Sequence, residues 1–262
     1  MKILVTVKLV PDTTAEKRID PTTKRLVRAG VETVLNPFDE YAIEAGLQLR
    51  DKLADGSTVT IFSMTPESGK EIVRKALAMG ADDAVMLSDP ALEGSDLWAT
   101  AYAIAHGIKT VGFDLVLTGT QSTDAISGDL PGMIAEYLGV PALTYARELT
   151  LDGTTLRVKR ETETGYQTLR AQLPALASVT KSANEPRYPS LKGIMGAKKK
   201  DIRALSVADL NLTKAVGSEG ARTELLTLAT PPAREKGRTV SAADAASGAA
   251  TIVEFLKQRQ LL

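Results

Sequence analysis

Asp114-Leu115-Val116-Leu117-Thr118-Gly119 is a short apolar run that ends on a glycine. Thr120-Gln121-Ser122-Thr123-Asp124-Ala125-Ile126-Ser127-Gly128-Asp129-Leu130-Pro131-Gly132 then leads into Met133-Ile134-Ala135-Glu136-Tyr137-Leu138-Gly139. The first piece reads as a β-strand and the second as a loop of small and hydroxylic residues. The third reads as a helix that opens near Gly128 to Pro131 and closes at Gly139. Upstream, Ile3 to Val7, Thr58 to Phe62 and Ala84 to Leu87 are similar β-rich runs, each separated from the next by a helix-length segment. Strands that are apolar on both faces and alternate with helices imply a mostly parallel sheet covered on both sides, a three-layer α/β fold. The helices carry their own signals. Pro37 and the acids Asp39 and Glu40 stand at one start, followed by Ala42, Ala45, Leu49 and Leu53 at helical spacing. A second helix is expected over Gly69 to Met79, stopping at Gly80, and a third after Ser95 as N-cap, burying Leu97, Ala101, Ile104 and Ile108.

The pattern changes after Gly139. Asp152-Gly153 lies between two β-prone runs and predicts a hairpin, an antiparallel excursion on the parallel sheet. Pro174 to Thr180 reads as a further buried strand, and Asn184 to Lys200 as a polar, proline-bearing, basic segment. From about Val216 to Ser247 the chain is rich in small residues and proline and too poor in large apolar ones to build a core. The expected organisation is therefore a main domain over 1–215 and a C-terminal arm over 216–262. The arm ends in an apolar-striped helix around Ile252, Val253, Phe255 and Leu256 that packs either on its own domain or on a partner.

Composition excludes several classes. Lys and Arg number 32 and Asp and Glu number 32, so no net field draws the chain to nucleic acid or an anionic membrane. Without cysteine, and with His106 as the one histidine, thiolate chemistry, iron–sulfur ligation and a His/Cys metal cluster are ruled out. His106, on the third helix, is read as structural. The amino-terminal run is too short and too β-branched for a signal segment, and no apolar stretch approaches a membrane span. The expectation is a soluble, cytoplasmic protein without a metal, in which any Ser-His-Asp site has His106 as its single candidate base.

In an open parallel sheet, ligands sit beyond the carboxyl ends of the strands, and a helix start favours phosphate. The loop from Gln121 to Gly132 thus reads as a phosphate site: Ser122, Thr123 and Ser127 offer hydroxyls and Gln121 an amide. Asp124 must turn away from a phosphate or serve another part of a ligand. Neither a Walker lysine nor a Gly-x-Gly-x-x-Gly fingerprint is present, which weighs against triphosphate turnover and ordinary dinucleotide binding. On pattern alone the loop is equally a polar connection without a ligand.

Several longer motifs occur in order: Asn36-Pro37-Phe38-Asp39, Ala76-Leu77-Ala78-Met79-Gly80-Ala81-Asp82, the Gln121 loop, Arg160-Glu161-Thr162, Asn184-Glu185-Pro186-Arg187-Tyr188, Ile194-Met195 and Ala197-Lys198-Lys199-Lys200. From Ile3 to about Leu205 the chain resembles the β subunit of electron-transfer flavoproteins. The resemblance implies a sheet of the adenine-nucleotide-binding (alpha hydrolase-like) type and a heterodimer with an α subunit that carries most of the FAD contacts. It also implies AMP bound by Thr6, Asn36, Pro37, Phe38, Asp39, Met64 and Gln121 to Gly132, with Phe38 near the flavin. Ala125-Ile126-Ser127-Gly128 is less acidic than the loop of many members. Leu191 falls in the family's recognition loop for acyl-CoA dehydrogenases, with Arg187, Lys192, Lys198, Lys199 and Lys200 around it. Glu161 matches an acid that steadies the flavin domain. Electrons would pass on to a quinone-reducing acceptor. Two rivals are a bifurcating relative with a second FAD in the AMP site and a free-standing adenine-nucleotide-binding protein.

Overall fold

A computed structural model of the chain describes residues 1–28, 30–228, 232, 237 and 239–262. Residues 229–231, 233–236 and 238, part of the stretch read as an arm, lie outside the described residues. The chain divides into two units, Met1–Leu225 and Leu226–Leu262.

In the first unit β1 (Lys2–Thr6) leads into a small antiparallel pair, β2 (Leu9–Pro11) with β3 (Thr33–Leu35), and then into α1 (Pro37–Leu53). Next come β4 (Thr58–Met64), α2 (Lys70–Ala78), β5 (Asp83–Leu87), α3 (Leu97–Val111), β6 (Leu115–Gly119) and α4 (Leu130–Leu138). The chain continues through β7 (Ala142–Asp152), β8 (Thr155–Thr162), β9 (Gly165–Gln172), β10 (Ala175–Val179), α5 (Leu191–Lys199), β11 (Ile202–Leu205) and the single turn α6 (Gly217–Gly220). Nine strands form one sheet in the order β11-β5-β4-β1-β6-β10-β7-β8-β9. All pairs are parallel except β7–β8 and β8–β9, the excursion that turns at Asp152-Gly153.

Strand alternation sorts the core into two layers. Ile3, Val5, Leu115 and Leu117 face α1 and α2, whereas Leu4, Val116, Phe62 and Leu87 face α3 and α4. Helix and sheet approach so closely at Gly107 of α3 that an added Cβ would lie 2.5 Å from the Phe62 ring. A side chain there would push α3 off the sheet.

Three local expectations shift. The cap of α3 is Asp96, whose carboxylate accepts from Ala99 N at 2.9 Å, because Ser95 Oγ instead donates to Leu92 O at 2.7 Å. The second helix starts one residue late, after a 3-10 turn over Glu67–Gly69, and ends at Ala78. Within the basic segment Ser190 caps a true helix, α5, by accepting from Gly193 N at 3.0 Å. The strands β2, β3 and β11 have only three or four residues, too few to show a period of two.

The second unit contains α7 (Ala245–Gln258), capped by Asp244, which accepts from Ser247 N at 2.8 Å. None of its residues is buried. No helix among the described residues is long and apolar enough to cross a membrane.

Candidate functional site

The carboxyl ends of β1, β4 and β6 open into a cavity of about 440 Å³, within the range of about 300 to 1,000 Å³ usual for small-ligand sites. Thr6 ends β1, Met64 ends β4 and Gly119 ends β6, and all three line it. Leu130 and Pro131 bring the start of α4 to the same space. That helix start has no side-chain cap, so its amide groups keep donors for a ligand. Gln121, Ser122, Ala125, Ser127 and Gly128 complete the loop side. Thr123, Asp124, Ile126, Asp129 and Gly132 stand in the same loop and helix start but behind the lining.

Asn36 and Asp39 hold that loop against the sheet. Asn36, almost wholly buried, donates from Nδ2 to Gln121 O at 2.9 Å and accepts at Oδ1 from Thr123 N at 3.2 Å. One amide thereby satisfies two backbone groups that a connecting loop would otherwise leave unpaired. Asp39, in the first turn of α1, accepts from Lys8 N at 2.7 Å. Burial pushes its carboxyl up to about 7, against the opposing hydrogen bonds of Lys8 N, Asn36 and Gly119 and the Lys8 charge. Pro37 opens α1, and Phe38, half-buried beside it, lies with its carbonyl against Gly119. Neither Pro37 nor Phe38 lines the cavity.

The loop is strained behind the lining: Ile126 has φ 54°, and Tyr145 on β7 has φ 59°, a region side chains other than glycine seldom adopt. Gly128, at φ 71°, permits the turn into α4, and a Cβ there would stand 2.9 Å from Tyr145 Oη.

Asp124 turns inward. Its side chain is 1 % exposed and bridges Lys8 Nζ at 2.7 Å and Arg28 Nη2 at 2.6 Å. Burial alone would raise its carboxyl, but the Lys8 charge and the bonds from Lys8, Ser122 and Arg28 outweigh burial and hold it at about 2. A carboxyl lower in the folded than in the unfolded chain stabilises the fold above its ordinary value and loses that contribution as pH falls towards its folded value. Asp124→Asn is therefore expected to cost about 2 kcal/mol at pH 7. The deficit should shrink as pH falls from about 4 towards 2, read from urea midpoints of both proteins. A deficit independent of pH would mean that the ion pairs contribute nothing.

Lys8, Arg28 and the α3 wall of Ser95, Asp96, Leu97, Thr100 and Ile104 also line the cavity, and the sequence reading left them out. Lys8, two residues past the end of β1, was within reach of the strand-end rule; Arg28 sits in an irregular segment with no signal. The residues suit AMP. Leu97, Ile104 and Ile134 offer apolar walls for a base, and the α4 amides and two cations suit a phosphate. The buried Thr123 Oγ1 has no hydrogen-bond partner. Among the described residues no cluster of acids or histidine is placed to hold a metal.

The residues read as docking groups divide. Leu191, at the first turn of α5, is 82 % exposed beside Tyr188 at 95 %, and Lys192, Lys198 and Lys199 are exposed on the same helix. Arg187 is engaged within the fold, bonding Glu44 through Nε at 2.7 Å and Nη2 at 3.1 Å, and Asp51 at 3.1 Å. Lys200 donates to Ala81 O at 2.6 Å. Glu161, on β8, faces Arg147 at 3.9 Å, while α5 packs on α2 beside the opposite half of the sheet. His106 is half-buried on α3, its ring 4.5 Å from that of Tyr102.

The electron transfer flavoprotein domain profile matches residues 23–210. A protein named electron transfer flavoprotein subunit beta from Megasphaera elsdenii is 42 % identical over 252 residues, 93 % of each chain. One of the same name from Mycobacterium bovis is 40 % identical over 265 residues, 99 % of each chain. Subunit CarD of the caffeyl-CoA reductase-Etf complex of Acetobacterium woodii is 38 % identical over 264 residues, the full length of both. With this cavity at its strand ends and likeness along its whole length, the chain belongs to the electron transfer flavoprotein β-subunit family.

Proposed function

We propose that the chain is the small subunit of a heterodimeric electron carrier working in the cytoplasm, binding AMP in the strand-end cavity. We further propose that it helps an α subunit retain FAD and docks acyl-CoA dehydrogenases through Leu191, on the way to a quinone-reducing acceptor. The cavity carries the reading: an uncapped helix start and a loop pinned by Asn36 face one space of nucleotide size. When bound, FAD supplies the redox chemistry; this chain binds, orients and excludes water. Thr6, Asn36 to Asp39, Met64 and Gln121 to Gly132 build the nucleotide site, with Phe38 turned towards the flavin. Glu161 steadies the partner, and Lys192, Lys198 and Lys199, helped by Arg187 and Lys200, bring an anionic surface to Leu191.

Mass spectrometry of nucleotides released from the co-purified subunits tests this. One FAD and one AMP per heterodimer are expected, whereas two FAD would assign the cavity to flavin, and neither nucleotide would remove the reading. Gly128→Val forces a branched residue into a left-handed turn against Tyr145. The strain of about 1 to 3 kcal/mol should lower AMP retention about five- to a hundred-fold, along with heterodimer yield. Normal AMP content in that variant would place the phosphate elsewhere.

A further inference from the structure

Lys8 and Arg28 have more donors than the fold uses. Lys8 Nζ meets Asp124 Oδ1 at 2.7 Å and Ser122 Oγ at 3.3 Å, two acceptors for three protons. Arg28 donates through Nη2 to Asp124 Oδ2 at 2.6 Å, and its Nε and Nη1 bond no other described residue. Both side chains are roughly half exposed and both line the cavity. At Asp124 itself two positive charges meet one buried carboxylate, while Asp39 and Asp96 line other parts of the same cavity. Asp124 accepts from each cation through a separate oxygen, so it fixes their spacing as well as their charge. Lys17 Nζ adds a third tie from the same irregular segment as Arg28, donating to Thr123 O at 3.0 Å.

We propose that Lys8 and Arg28 form an anion-recognition pair for the nucleotide phosphate and that Asp124 is the positioning residue that aims them. The triad then decides between a phosphorylated nucleotide and its nucleoside. This rests on the nucleotide reading of the cavity. Among the described residues, the loop after β6 is tied to the segment carrying Arg28 at Asp124 and at Thr123.

The test uses the full chain with its partner subunit, freed of nucleotide in mild denaturant, returned to buffer and titrated with AMP and with adenosine. Arg28→Gln should weaken AMP about tenfold, the usual effect of losing one charge-assisted hydrogen bond, and leave adenosine within about twofold. Arg28→Lys should recover part of the loss, since it restores charge without the planar fork. Asp124→Asn makes the wall more positive by one charge, so attraction at a distance alone would strengthen AMP binding; loss of aim should weaken it. Equal weakening of AMP and adenosine by Arg28→Gln, unchanged AMP affinity, or tighter AMP binding by Asp124→Asn would each overturn the triad. A wild-type protein that takes up neither ligand would remove the nucleotide reading itself, and the triad with it.

Discussion

Leu191→Ala should slow reduction of the complex by an acyl-CoA dehydrogenase about ten- to a hundred-fold at subsaturating protein, while its melting temperature stays within about 2 °C of wild type. The side chain is 82 % exposed in the free chain. It contributes little to folding, yet filling a pocket on a partner would bury most of it, worth about 1.5 to 3 kcal/mol. Reduction by a small chemical reductant should be unchanged, because it needs no docked protein. Raising ionic strength should slow wild type and variant alike, since the exposed Lys192, Lys198 and Lys199 would act on encounter through solvent. A large fall in melting temperature would make Leu191 a packing residue, and intact coupling would remove the loop from docking.

Arg187→Ala should lower the melting temperature by about 4 to 8 °C. Its guanidinium forks onto Glu44, whose side chain is 5 % exposed, and reaches Asp51. Burial disfavours the Glu44 charge, and the bonds from Arg187 reverse that and hold its carboxyl below the usual range. Without Arg187 the buried carboxylate loses its counter-charge and keeps only the Gln48 amide, at 2.9 Å, as a side-chain partner. Full burial would cost about 3 to 5 kcal/mol; the half-open arginine side reduces this to about 2 kcal/mol. Arg187→Lys should fall between, keeping charge and losing the fork. Dehydrogenase-driven reduction, measured well below the new melting point, should slow by less than about twofold, since Arg187 only supplements the α5 lysines in docking. An unchanged melting temperature with strongly slowed reduction would make docking its main role.

Most of the sheet was legible because its strands are buried on both faces. Ile3 to Val7, Thr58 to Phe62 and Leu115 to Leu117 need apolar residues at consecutive positions, and that density is a local property. Helix starts and turns were legible for the same reason: Pro37, Gly139 and Asp152-Gly153 act through their own backbone preferences. The loop after β6 was visible as a small-residue run between a strand and a proline-led helix. Short strands such as β11 were not visible, since four residues carry too little pattern and take their place from the neighbouring strand.

Charge pairing was decided by tertiary structure alone. Asp124 meets Lys8 across 116 positions and Arg28 across 96, and Arg187 meets Glu44 across 143. Those meetings follow from sheet order, which sets β1 beside β6 and so brings Lys8 to the loop that follows β6. A charged residue in a loop looks the same in sequence whether water or a buried partner satisfies it. The local chain therefore determined where strands, helices and the loop after β6 lie. Folding decided which of their charges face the cavity, which face the core and which stay in solvent, because electrostatic energy depends on distance and burial in space rather than on separation along the chain.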